Sequence, residues 1–192
     1  MPPFELYLHM LRDEKRTLER FALPRDSASP LLQMRKHLVE WTVELGDKLN
    51  QSNLTIHIAL TYVDLLLPSE PSLDKKSLQL MALTSLLLAS KYDELDDNIP
   101  PLKDFLRSCK SRSASFFEYD DVIAYEGCLL RRLNWDLMVI TPLHFIHSLA
   151  GMGVVFDTDR LAPPLDPAEE EPEGQKSRRE SGIDLSELLP VD

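Results

Sequence analysis

The sequence predicts an all-α protein: one domain of five packed helices, a helix before it, a short helical stub after it and a disordered acidic tail. Three observations carry this. Apolar residues recur at steps of three and four along most of the chain, which is the period of a helix. Two stretches, LTIHIALTYVDLLL (54–67) and residues 78–89, are apolar nearly all round. Helices without a polar face belong in the middle of a core. No segment alternates apolar and polar residues as a half-buried strand would.

The elements follow in order. Residues 4–21 read as a helix, with Phe4, Tyr7, Leu8 and Leu11 on one side and a charged middle. The turn-rich LPRDSASP ends it. Leu31, Met34, Leu38, Trp41, Leu45 and Leu49 then mark an amphipathic helix over 31–50. Pro68 and Pro71 separate the two apolar helices, and Asp74 is placed to cap the second. Pro100-Pro101 breaks the chain before a shorter helix at about 102–110, and a serine-rich loop follows. Tyr119, Val122, Leu129 and Leu133 form one stripe of a helix over 118–133. Thr141-Pro142 reads as an N-cap and first-turn proline for a last helix, LHFIHSLA, stopped by Gly151 and Gly153.

These elements suggest a leading helix and linker (1–27), the domain proper (28–140), the stub (141–153) and a Pro/Glu-rich tail (154–192). The tail cannot bury enough apolar surface to order itself. The net charge is −11, and from Asp159 onward ten acidic against four basic residues supply −6 of it. A nucleic-acid binder relying on a broad basic face is therefore disfavoured. No apolar run approaches the roughly 20 residues that span a bilayer. The opening MPPFELYLHMLRDEKR lacks a secretion-signal layout, and Cys109 and Cys128 make no redox or metal spacing, so a reduced, intracellular protein is expected.

Two charges stand where apolar residues should. Lys91 ends the run LQLMALTSLLLASK, with Leu88, Leu87 and Leu83 behind it at helical spacing. A lysine there either snorkels past Ser90 to water or meets a partner. Glu126 interrupts the stripe 119, 122, 126, 129, 133 on another helix. Snorkelling explains one of these charges; pairing explains both. Arg35 and Asp64 have the same look, since Asp64 sits among Tyr62, Val63 and Leu65. A charge pair that is expensive to desolvate is weak evidence for stability and better evidence for a site that a partner completes.

MRKHLVEW (34–41), YVDLLL (62–67), LASKYDE (88–94) and LLRRLNWDL (129–137), in this order, resemble the first cyclin box of the cyclins over about residues 28–140. The short, divergent style, including DDNIPPLKDF, resembles cyclin J and its relatives. The resemblance implies a regulatory subunit that binds and activates a cyclin-dependent serine/threonine kinase, with no chemistry, cofactor, metal, nucleic acid or membrane of its own. It places Lys91 and Glu126 at the centre of the kinase-binding face, near the kinase C-helix. Tyr92, Glu94 and Trp135 flank them, and Arg35–Asp64 becomes an internal bridge. It also implies a docking groove for Arg-x-Leu substrate peptides at Met34, Leu38, Trp41 and Gln79, with Glu40 and Glu44 facing the peptide arginine. His37, where cell-cycle cyclins carry an aliphatic residue, degrades that groove. A nuclear or cytoplasmic protein, or one in both places, is implied.

TPLHFIHSLA resembles the start of a second, incomplete box. Its Leu143, Phe145, Ile146 and Leu149 then either fold back on the first box or lie exposed. Activation is expected to be weaker for that reason. The alternative is a truncated cyclin-like interaction protein that holds kinase or substrate without activating. A general transcription factor core of the same fold is disfavoured by the acidic charge. His144 and His147, one turn apart, lack a third ligand for a metal. Arg178-Arg179-Glu180-Ser181 fits a basophilic kinase site at Ser181, and Ser29-Pro30 a proline-directed one.

Overall fold

The computed structural model describes residues 3–21, 30–69, 74–110 and 117–153. The acidic tail with Ser181, the serine-rich loop and Ser29 lie outside the described residues. Among the described residues there are seven α-helices: α1 (Pro3–Glu19), α2 (Pro30–Lys48), α3 (Asn53–Leu66), α4 (Lys75–Asp93), α5 (Leu102–Lys110), α6 (Tyr119–Arg132) and α7 (Pro142–Gly151). Short 3-10 turns follow α3 at Leu67–Ser69 and α4 at Asp96–Asn98. Among the described residues none is in a strand.

Helix α4 is the axis of the domain. Its residues 81–90 are all buried, and it packs on α2, α3, α5 and α6. This is what a helix apolar on every face requires. Asp74 caps it, accepting from the Ser77 backbone N–H at 3.0 Å. Ser52 caps α3 by accepting from Thr55 N–H at 3.0 Å, and Tyr62, Val63 and Leu66 of α3 are fully enclosed. From α2 and the turn that ends it, Leu38, Thr42, Leu45 and Leu49 face the same core, in steps of four, three and four. Thr42 returns its hydroxyl to the Leu38 carbonyl at 2.7 Å, so the buried oxygen is satisfied. Gly46 lies in this contact: a Cβ there would stand 2.6 Å from Ile56 Cδ1. Close approach of α2 to α3 therefore needs a residue without a side chain.

Helix α5 contributes Phe105 and Cys109, and α6 contributes Val122 and Leu129. Burial pushes the Cys109 thiol up to about 12, which keeps it protonated and inert. The segment after α6 is tied down by its neighbours. The Tyr62 hydroxyl, its pKa raised by burial, donates to the Leu137 carbonyl at 2.7 Å. Arg132 donates to the Leu66 carbonyl and the Ser69 hydroxyl, each at 3.0 Å.

Two expectations need correction. Helix α1 does not bury the Leu8/Leu11 face. Both are exposed, while Met10 and Thr17 are buried. The rotation is set by the far end of the helix, where Arg16 and Arg20 reach Asp136 at 2.9 and 3.4 Å. Tyr119, expected on the apolar stripe of α6, is 57% exposed.

Helix α7 packs against α1 and α3, with Phe145 edge-on to Tyr7 at 5.9 Å. Ile146 remains exposed, so the two expectations for this helix are each met in part. Thr141 starts α7, its backbone N–H donating to His144 Nδ1 at 3.0 Å. That bond needs a bare Nδ1, and burial lowers the His144 pKa while the nearby Asp93 charge opposes the shift.

Candidate functional site

The last turn of α4 and the middle of α6 bring the two unexpected charges together. Lys91 Nζ donates to Glu126 Oε1 at 2.6 Å. The Glu126 side chain is 13% exposed and that of Lys91 43%. The carboxylate is thus held in the wall of the domain, and the ammonium stands over it at the surface. An ammonium has three donors, and here one is spent on Glu126, leaving two for an acceptor brought by another molecule.

Beside the pair the surface is mostly apolar, with the Asp96 carboxylate among it. On α6, Tyr119, Ile123 and Glu126 follow at helical spacing along one side. Tyr119 and Ile123 are exposed. They form one wall of an open cleft of about 460 Å³ whose other side includes Leu87, Lys91, Asp96, Ile99 and Pro100. The Pro100-Pro101 break is therefore also a rim of this cleft. Tyr92 beside Lys91 is 48% exposed, and Leu95 in the following turn 74%. Single exposed apolar residues are ordinary; several around one charge pair are the composition of a protein-binding patch. Tyr119 and Ile123 were absent from the sequence-derived site. Their helical spacing from Glu126 was the signal that could have included them.

Glu94 has an internal task. Its Oε1 accepts from the Ser52 backbone N–H at 2.7 Å and from the Thr55 hydroxyl at 2.8 Å. Partial burial disfavours its charge, but these donors outweigh that and hold its pKa below the usual carboxylate range. The same hydroxyl lies 2.8 Å from Asp93 Oδ2, so its single proton serves one carboxylate at a time. The end of α4 thereby caps the start of α3.

Trp135 lies past the far end of α6 and is 70% exposed. The helix closes with Asn134 N–H to Arg131 O at 3.0 Å and Trp135 N–H to Leu130 O at 2.9 Å. This paired closure takes a left-handed residue after the cap, here Asn134 with φ 54°. Trp135 is left-handed as well, at φ 59°. The closure does not demand that, and for a bulky side chain it costs on the order of 1–2 kcal/mol.

Arg35 and Asp64 pair in two-pronged fashion, Nε to Oδ1 at 2.5 Å and an Nη to Oδ2 at 2.8 Å. The Asp64 hydrogen bond raises the Arg35 pKa against the opposing effect of burial. The bridge joins α2 to α3.

The six residues of the expected peptide groove do not form one open surface. Leu38 and Gln79 are core residues, 3% and 1% exposed. Met34 and Trp41 are partly buried and pack on that core. Glu40 stands 3.9 Å from His37 Nδ1, and Glu44 already has an interaction partner within the domain. Among the described residues no three His, Cys, Asp or Glu side chains cluster as metal ligands would. No helix among them is long and apolar enough to cross a membrane.

Among the described residues, then, helices pack round a central apolar helix, and one face carries a charge pair beside exposed apolar side chains. The family described as "Cyclin, N-terminal domain" matches residues 5–138, a span that takes in α1 as well as α2–α6. The chain is 31% identical over 131 residues to a cyclin-D of Ostreococcus tauri, covering 66% of this chain and 33% of that protein. It is 31% identical over 114 residues to the G2/mitotic-specific cyclin S13-7 of Glycine max, covering 59% and 42%. It is 33% identical over 136 residues to the G2/mitotic-specific cyclin-B3 of Gallus gallus, covering 69% and 32%. This chain belongs to the cyclin family. It spans between about a third and two fifths of these relatives, which are of both D and mitotic types and single out no subgroup.

Proposed function

We propose that this protein is a regulatory subunit of a cyclin-dependent serine/threonine kinase, held through the face centred on Lys91 and Glu126, and that it activates the kinase by positioning its C-helix. The observation that carries the reading is the pair itself: a nearly buried carboxylate fixing a half-exposed ammonium beside an apolar cleft. A kinase helix laid over the cleft buries Tyr119 and Ile123, and its chain supplies acceptors for the remaining Lys91 donors. An active kinase needs the glutamate of its C-helix to meet the ATP-binding lysine, so whatever fixes that helix governs activity. The cyclin side performs no chemistry. Its contribution is binding energy spent on one conformation of the partner.

The competing reading is capture without activation. An additional role in docking Arg-x-Leu peptides has less behind it, because Leu38 and Gln79 are enclosed. The test is to present the purified chain to a panel of cyclin-dependent kinases and to assay peptide phosphorylation by every captured complex. Capture with activity supports activation. Capture without activity supports the competitor. No capture by any kinase, from a chain shown to be folded, overturns both.

A further inference from the structure

Trp135 presents an unsolved demand. Its neighbour Asn134 is left-handed because the helix closure requires it, but the second left-handed residue, a tryptophan, has no such local reason. A strained and exposed side chain persists only where the surroundings over-determine it. The residue that follows shows what does so. Asp136 is gripped from α1, a helix more than a hundred residues earlier in the chain. Arg16 Nη2 lies 2.9 Å from Asp136 Oδ2, and Arg20 Nη1 3.4 Å from the same oxygen. Arg20 also donates to the backbone: to the Asp136 carbonyl at 3.3 Å and the Leu133 carbonyl at 3.5 Å. The guanidinium thus spans the turn, holding the carbonyls on both sides of the two left-handed residues. Arg20 and Asp136 side chains are 24% and 21% exposed, so the grip is shielded from solvent more than an ordinary surface pair.

We propose that Arg20, assisted by Arg16, is a positioning residue: it clamps the 133–136 turn through Asp136 and so sets the direction in which Trp135 is displayed to a bound partner. The α1 helix is then part of the binding apparatus without touching the Lys91–Glu126 pair. The proposal rests on the reading that Trp135 belongs to the kinase-binding face, and its test separates the two.

The chain has two tryptophans, Trp41 and Trp135. Labelling the full chain with 5-fluorotryptophan gives two fluorine resonances, and Trp135→Phe identifies which is which. In an Arg16→Ala/Arg20→Ala variant the Trp135 resonance should shift and narrow while that of Trp41 stays in place. Arg20→Lys keeps the charge but has no planar fork to reach both carbonyls and the carboxylate, so it should move the same resonance in the same direction. This milder change also serves if the double variant does not fold. An unmoved Trp135 resonance in a folded variant overturns the clamp whether or not any kinase binds. With a captured kinase, Arg20→Ala should weaken binding about tenfold in the native background and have little effect in a Trp135→Ala background. Equal losses in the two backgrounds would show that Arg20 acts otherwise than through Trp135. A chain that captures no kinase but passes the fluorine test keeps the clamp and loses the kinase reading.

Discussion

Lys91, near the end of α4, and Glu126, in the middle of α6, pair at 2.6 Å yet share the burial unequally, at 43% and 13% exposure of their side chains. The inequality predicts an asymmetry. Lys91→Ala leaves a carboxylate in a mostly desolvated wall, whereas Glu126→Ala leaves a lysine that already reaches water. Lys91→Ala should therefore cost on the order of 1–2 kcal/mol and Glu126→Ala less than about 1 kcal/mol. Urea unfolding of the two variants measures this, and equal or reversed costs would contradict it.

The Arg35–Asp64 bridge is exposed to a similar degree, 37% and 11% for the two side chains, but should weigh more because two hydrogen bonds rather than one join it. Arg35→Ala should destabilise the domain by about 1–3 kcal/mol, because it leaves the largely enclosed Asp64 carboxylate without its two donors. The double change Arg35→Met with Asp64→Leu should cost clearly less than the single one. The check is denaturant unfolding of both, and a double variant as unstable as the single would refute the buried-charge account.

Gly46 faces Ile56, and a methyl group at position 46 would overlap it. Overpacking typically costs about 1–3 kcal/mol, set against a gain of roughly 1 kcal/mol for replacing a helical glycine by alanine. Gly46→Ala should thus gain no stability and should lose up to about 2 kcal/mol. The loss should shrink in an Ile56→Ala background, where the clashing atoms are gone. A double-mutant cycle reads the coupling.

Much of this was legible in the sequence, and particular residues show why. The bounds of α5, Leu102–Lys110, follow from Pro100-Pro101, a purely local signal. The caps at Asp74 and Thr141 are local too. The Lys91–Glu126 pair was readable because each charge violated an apolar period, and two violations can cancel. What escaped depends on distant parts of the chain. Helix α1 has apolar residues on more than one side, and the choice of Met10 and Thr17 is tied to arginine contacts with Asp136. Leu38 and Gln79 lie deeper than a groove needs because α2 and α4 pack directly on each other.

Glu94 is a further instance, since its partners are 42 and 39 residues away. Its pKa is lowered by folding, so its contribution to stability is complete above the ordinary glutamate value of 4.5 and is lost as pH falls through the lower folded value. Native protein should lose stability over that acid range more steeply than Glu94→Gln, in which the amide oxygen still accepts from Ser52 but does not titrate. Thermal unfolding from pH 3 to 7, spanning the range given by the linkage argument at roughly one-unit steps, tests it. Identical profiles would remove Glu94 as the source.

The most direct test of the central claim is the affinity of a captured cyclin-dependent kinase for the native chain and for the Lys91→Ala/Glu126→Ala variant, with circular dichroism confirming that both are folded. The account predicts a loss of at least about 30-fold, the scale on which central interface residues act. A folded double variant that binds as tightly as the native chain would contradict the claim that this face holds the kinase.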